Sequence, residues 1–153
     1  MIAAEHGGEH GAGMMRVLVD AGADAGAQTE SGTTALMLAA RYGGEHGAGM
    51  MRLLVDAGAD ANNKQREDGW TALMLSARYG DEHGAGMMRL LVDAGADANK
   101  QDGDGNTALM FAAQEDRGEH AVGMMRLLVD AGADANKQNK DGKTALMNSH
   151  IHI

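Results

Sequence analysis

Three short motifs recur along this chain of 153 residues at a nearly constant spacing. The motif Met-Met-Arg begins at Met14, Met50, Met87 and Met124. The motif Thr-Ala-Leu begins at Thr34, Thr71, Thr107 and Thr144, and the motif Ala-Gly-Ala-Asp begins at Ala21, Ala57, Ala94 and Ala131. Successive copies lie 36 or 37 residues apart. Because all three motifs keep the same period, whole units recur, which is typical of stacked repeat architectures.

Each unit predicts two short helices joined by a loop. The first begins after a threonine, whose hydroxyl can cap the helix, and continues through an apolar run such as residues 35–40. The second is predicted over residues 50–57, with its methionine pair packed into the stack, and it ends at Gly58. Polar stretches ending in Asp-Gly predict turns at residues 65–69, 101–105 and 138–142. Helices this short need stacked neighbours for stability, as in a solenoid.

Residues 68–74 (Asp-Gly-Trp-Thr-Ala-Leu-Met) and residues 90–99 (Leu-Leu-Val-Asp-Ala-Gly-Ala-Asp-Ala-Asn) resemble the ankyrin repeat, and the resemblance covers nearly the whole chain. It implies an all-α fold, an ankyrin-type helix-loop-helix-turn solenoid with three complete internal repeats and two partial terminal repeats. The family's Thr-Pro-Leu-His is replaced by Thr-Ala-Leu-Met in all four copies. The unit also exceeds the family's length of about 33 residues, and the surplus falls in a glycine-rich loop at residues 43–49.

The repeats predict one domain over residues 1–153. Its divisions are a partial N-terminal repeat at 1–30, complete repeats at 31–67, 68–103 and 104–140, and a partial C-terminal capping helix at 141–153. Residues 148–150 are polar where residues 38–40 of an internal unit are apolar, which indicates a solubilising cap. Residues 1–4 remain apolar. We therefore expect a monomer, or weak self-association through the N-terminal end.

Composition narrows the function classes. The chain has no cysteine, which excludes disulfides and thiolate metal sites and favours the cytoplasm. No stretch approaches the roughly 18 apolar residues of a membrane span, and a net charge of -9 opposes binding to nucleic acid. No motif of an activated nucleophile or an acid-base pair is present, so we expect neither enzyme activity nor a cofactor.

The resemblance implies protein recognition through the turns and the exposed sides of the first helices, which together line a concave surface. The predicted protein-binding residues are Arg41, Tyr42, Trp70, Arg78, Tyr79, Asn106 and Gln114, and the same surface is predicted to carry Thr33, Glu115 and Lys143. Aromatic and arginine side chains are enriched in binding hot spots, so the first five form the expected centre. The alternative is that the tyrosines cover the neighbouring unit and that Trp70 decorates a turn.

Two further interpretations remain open. A Glu-His pair recurs in each unit, and histidine and carboxylate can bind zinc; the candidate ligands are His10, His46, His83 and His120. Adjacent residues on a helix do not face one another, and packed helices lie about 8–10 Å apart, so one ion would not reach several pairs. No metal site is therefore predicted. The near-identity of the units also fits an engineered scaffold without a cognate ligand, and the sequence identifies no particular protein partner.

Overall fold

The computed structural model describes residues 8–114 and 118–149. Within these ranges the chain forms eight α-helices: α1 (Gly8–Asp20), α2 (Ala35–Tyr42), α3 (Gly47–Asp56), α4 (Ala72–Tyr79), α5 (Gly84–Asp93), α6 (Ala108–Gln114), α7 (Glu119–Asp130) and α8 (Ala145–Asn148). Two 3₁₀ turns, Gly44–His46 and Asp81–His83, precede α3 and α5. The expectations for residues 1–4, for Glu115 and for His150 concern positions outside the described ranges.

The helices stack in two layers. Helices α2, α4, α6 and α8 contact one another in sequence and form the layer of first helices. Helices α1, α3, α5 and α7 do the same and form the layer of second helices. Three of the first helices also pack against the second helix that follows them: α2 on α3, α4 on α5 and α6 on α7. The predicted all-α solenoid, in which units contact chiefly their neighbours, is confirmed.

Threonine caps start the first helices as the sequence predicts. Thr34 has an extended backbone, and its hydroxyl accepts a hydrogen bond from the N–H of Met37 at 3.2 Å. This bond satisfies one of the N–H groups that a helix start leaves without a partner inside the helix. The same cap recurs at Thr71, Thr107 and Thr144.

The second helices end where predicted but begin earlier. Gly58 follows α3 with φ 97°, in the left-handed region that closes a helix. The predicted start at Met50 is wrong, because α3 begins at Gly47 and continues directly from the 3₁₀ turn before it. A Cβ atom at Gly47 would lie 2.6 Å from Met87 Sδ of the next helix pair. The absence of a side chain at this glycine therefore lets the helix start lie against its neighbour.

Methionine, leucine and alanine fill the interior. The methionine pairs Met50–Met51 and Met87–Met88 are fully buried between the two layers, which confirms their predicted role in packing. The small side chains of Ala39, Ala77 and Ala112 are also fully buried in the first helices. The core therefore runs along the stack as one continuous cluster rather than as a single central nucleus.

Candidate functional site

Five of the predicted binding residues lie at the ends of first helices or in the turn before one. Arg41 and Tyr42 end α2, and Arg78 and Tyr79 end α4, at equivalent positions of neighbouring helices. Trp70 lies in the turn that leads into α4. We call these five residues, Arg41, Tyr42, Trp70, Arg78 and Tyr79, the aromatic patch.

Hydrogen bonds within its turn hold the backbone of Trp70. The N–H of Trp70 donates to Asp68 Oδ1 at 3.1 Å, and the carbonyl of Trp70 accepts from the N–H of Gln65 at 2.9 Å. Gly69 supplies the positive φ, 75°, that this tight turn requires. The indole is therefore attached to a backbone that hydrogen bonds hold on both sides.

Tyr79 is at the centre of the aromatic patch. Its ring centre lies 4.7 Å from the guanidinium carbon of Arg41 and 5.4 Å from that of Arg78. Both distances fall within the range of a cation-π contact, about 6 Å. The ring of Trp70 lies 6.2 Å away and is tilted by 35°. Arg41 also lies 5.1 Å from the ring centre of Tyr42, so it joins the two tyrosines across neighbouring helices.

Phe111 supports the patch from below, and the sequence analysis did not include it. Its ring lies 4.5 Å from that of Trp70, tilted by 43°, and the residue is only 5% exposed. Phe111 occupies in α6 the position that Leu75 holds in α4, so the repeat register contained the signal that could have identified it. All four aromatic residues of the chain thus belong to one connected cluster.

The tyrosines of the patch are accessible at the surface. Tyr42 is 47% exposed and Tyr79 is 37% exposed, whereas Trp70 is half-buried between Tyr79 and Phe111. Tyr79 therefore contacts its neighbours and also keeps part of its surface exposed. The two arginines concentrate positive charge at this surface of an otherwise acidic chain.

The remaining two predicted residues, Asn106 and Gln114, lie apart from the aromatic patch and line a cavity. Asn106 lies in the turn before α6, and Gln114 ends that helix. Both line a pocket of about 360 Å³ together with Asn139 and Asn148. We call this cavity the amide pocket, because these four residues are its half-buried lining. It contains none of the residues of the aromatic patch, so the seven predicted residues fall into two separate groups.

In two of the Glu-His pairs, the histidine ring and the carboxylate lie close together. His46 Nε2 lies 3.2 Å from Glu45 Oε1, and His83 Nε2 lies 3.3 Å from Glu82 Oε1, each pair within a 3₁₀ turn. His10 lies on α1 and His120 on α7. Across residues 8–114 and 118–149, no group of three or more His, Cys, Asp or Glu side chains could hold a metal ion. The described geometry therefore gives no support to the metal-binding interpretation.

The first helices begin at threonine caps, the second helices end at glycines, and successive helix pairs stack on one another. This arrangement defines the chain as a helical repeat protein of the solenoid class. A family model described as ankyrin repeats (3 copies) matches residues 1–85 and 82–151. The chain belongs to the ankyrin repeat family, whose members are generally protein-interaction modules and typically non-enzymatic. A comparison with curated proteins found no match to the chain. In the part of the chain that the structure describes, every helix is too short or too polar to cross a membrane.

Proposed function

We propose that this chain is a non-enzymatic protein-binding module whose partner docks on the aromatic patch. The observation that carries the proposal is the convergence of all four aromatic residues and two arginines on three neighbouring first helices and the turn before α4. Tryptophan, tyrosine and arginine side chains dominate the energy of protein interfaces when they lie together at a well-packed centre. The absence of cysteine supports a reducing compartment, and the cytoplasm is the location proposed.

The chemistry of the patch selects the kind of partner. Arg41 is exposed and directs its guanidinium group over the rings of Tyr42 and Tyr79, and the edge of this guanidinium is the hydrogen-bond donor proposed for a carboxylate of the partner. The exposed rings of Tyr42 and Tyr79 offer apolar area beside it. The partner proposed is therefore a protein segment that carries acidic side chains next to apolar ones.

Capture of a partner tests this proposal. The purified chain is immobilised, exposed to an extract of the cells that express it, and compared with the variants Arg41→Ala and Tyr79→Ala. We expect each variant to weaken binding by about 30-fold, which corresponds to the roughly 2 kcal/mol of a hot-spot residue. Because Trp70 is the only tryptophan of the chain, its emission reports the affinity of the captured partner directly.

Arg89→Ala is the matched control. Arg89 is an exposed arginine on α5, in the layer of second helices, so its removal changes the net charge equally without altering the patch. A partner lost with Arg41→Ala and retained with Arg89→Ala supports the proposal. Equal retention by all variants would place the docking surface elsewhere, and failure to capture any protein would favour a scaffold without a cognate ligand.

A further inference from the structure

The exposed apolar side chains of the described residues gather at the two ends of the stack. Of the nine large apolar side chains that are exposed there, three lie on α1, two on α7 and two on α8. The other two are the tyrosines of the aromatic patch. Apolar groups gathered in this way, rather than scattered singly, mark a contact surface. We call Met14, Val17 and Leu18 of α1 the first end, and Val129, Leu146 and Met147 of α7 and α8 the last end.

The last end exposes a surface that internal units bury. Helix α8 is a first helix, and no second helix follows it among the described residues. Leu146 and Met147 hold the positions of Leu36 and Met37 in α2, which packs against the second helix α3. Leu36 is 1% exposed, whereas Leu146 is 70% exposed. The polar positions that indicate a cap begin only at Asn148, so they follow this apolar pair and leave it uncovered.

The first end exposes the other half of the same contact. Helix α1 is a second helix, and in the part of the chain that the structure describes no first helix precedes it. Met14 and Leu18 hold the positions of Met50 and Leu54 in α3, which are buried in a unit whose first helix, α2, packs against α3. The first end therefore exposes the surface that a first helix covers in an internal unit, and the last end presents such a helix.

Placing the last end of one copy on the first end of another requires only the kinds of contact that the chain already makes. Helix α8 would pack against α1 of the second copy as α2 packs against α3. Helix α7 would lie beside that α1 as α1 lies beside α3, and α8 beside the second copy's α2 as α2 lies beside α4. The Met-Met-Arg segment of α1 and the Thr-Ala-Leu-Met segment that begins α8 are the same as in the internal units. The helices that would meet therefore carry the side chains of an internal pair.

A groove between internal second helices indicates which apolar side chains would meet in the layer of second helices. Val55 of α3 and Leu90 of α5 line the same shallow groove. Val129 of the last end holds the position of Val55, and Val17 of the first end holds that of Leu90. Val55 and Leu90 are half-buried, whereas Val129 and Val17 are exposed. The junction between two copies would therefore cover apolar area in both layers of the stack.

We propose that the last end of one copy of this chain binds the first end of another, so that α8 and α1 complete one helix pair and the stack continues head to tail. The two surfaces of such a contact differ, so each complex keeps one free end of each kind and can grow by further copies. A contact between two identical surfaces stops at two copies instead. The inference goes beyond the proposed function, because it uses no residue of the aromatic patch and concerns a second copy rather than another protein.

Two charge variants and their mixture test this arrangement by sedimentation velocity over a range of protein concentrations. Leu18→Glu blocks the first end and Leu146→Glu blocks the last end. We expect the unsubstituted chain to form species larger than two copies as its concentration rises. Each variant alone should associate about tenfold more weakly or less, as the loss of a central apolar contact predicts. An equimolar mixture of the two variants should restore association and stop at two copies, because each variant keeps the end that the other lacks.

Gly86→Glu is the matched control, since Gly86 is exposed on the internal helix α5 and its substitution changes the net charge equally. It should associate like the unsubstituted chain. Both end variants replace exposed residues, so they should keep the helical circular dichroism of the unsubstituted chain. The proposal is overturned if either end variant associates like the unsubstituted chain, which would indicate a contact between two identical ends, or if the mixture stays monomeric. It is also overturned if the unsubstituted chain sediments as a monomer at every concentration, or if Gly86→Glu weakens association as much as Leu146→Glu does.

Discussion

At the scale of single residues, two glycines of the same unit are required for different physical reasons. Gly80 follows α4 with an ordinary φ of -74°, but a Cβ atom there would collide with the carbonyl oxygen of Ser76 and with Gly84 Cα. Gly95 follows α5 with φ 95°, and a Cβ atom there would meet nothing within 4 Å. The first glycine is required by close approach of the backbone and the second by backbone conformation.

Gly80→Ala should lower the free energy of unfolding by about 1–3 kcal/mol, because the added methyl group forces a backbone shift. Denaturation by urea measures the change. Gly86→Ala is the control, since Gly86 lies in α5 with nothing within 4 Å of the added atom, and it should gain about 0.5–1 kcal/mol from the higher helix propensity of alanine. Equal effects of the two substitutions would contradict this account.

Gly95→Val should cost roughly 1 kcal/mol or more, because a β-branched residue is strained at positive φ. Gly95→Asn should cost less, since asparagine tolerates the left-handed conformation at a helix end. Thermal melting of the two variants separates the conformational requirement from any effect of size. A valine variant as stable as the asparagine variant would show that the turn can adopt another backbone conformation.

At the scale of elements, asparagines join successive turns between units. Asn62 Nδ2 donates to the carbonyl of Gly95 at 2.9 Å, and Asn62 Oδ1 accepts from the N–H of Asp97 at 2.8 Å. Asn99 makes the same two bonds one unit further along, to the carbonyl of Gly132 and the N–H of Asp134. Each asparagine therefore satisfies backbone groups of the following turn and fixes the offset between neighbouring helix pairs.

Asn99→Ala should lower the free energy of unfolding by about 1–2 kcal/mol, since two inter-unit hydrogen bonds of about 0.5–1.5 kcal/mol each are lost at a half-buried position. Asn136 is the matched control: it holds the equivalent position, and among the described residues its side chain makes no such bond. Asn136→Ala should change stability by less than about 0.5 kcal/mol. Urea denaturation compares the two, and equal losses would mean that the bonds do not couple the units.

The helices could be predicted from sequence more reliably than the loops. Threonine caps, apolar runs and terminal glycines determine helix starts and ends through contacts within a few residues. The caps of the first helices and the ends of the second helices are therefore predicted correctly. The glycine-rich segment at residues 43–49 was expected to remain a loop before Met50. Gly47 of this segment instead starts α3 and lies close to Met87 of the next helix pair, a contact that the local pattern does not include.

At the scale of the whole molecule, α1 exposes apolar side chains that internal units bury. Leu18 is 51% exposed, whereas its equivalent Leu54 is 3% exposed beneath α2. Met14 and Val17 on the same helix are also exposed. Exposed apolar area of this kind marks surfaces that associate. We expected a monomer or weak self-association through the N-terminal end, and we propose α1 as the surface through which such association would occur.

Leu18→Glu should reduce this association, because it places a charge in the apolar surface and adds repulsion between copies. Sedimentation velocity over a range of protein concentrations measures the effect. Gly86→Glu is the control, since Gly86 is exposed on the internal helix α5 and carries the same charge change. Concentration-independent sedimentation of the unsubstituted chain would contradict self-association, and an equal effect of both variants would assign it to net charge.

The repeat period and the family could be recognised directly from the sequence pattern. The two helices of each unit and their caps could also be predicted, because they depend on contacts between residues close in the chain. The tertiary structure decided which distant side chains meet. Trp70 and Phe111 are brought together only by the stacking offset of α4 on α6, and Asn106 and Asn148 only by that of α6 on α8. That offset depends on packing and hydrogen bonds between residues about one repeat unit apart in the chain. The division of the seven predicted residues into an aromatic patch and an amide pocket is therefore visible only in the stacked structure.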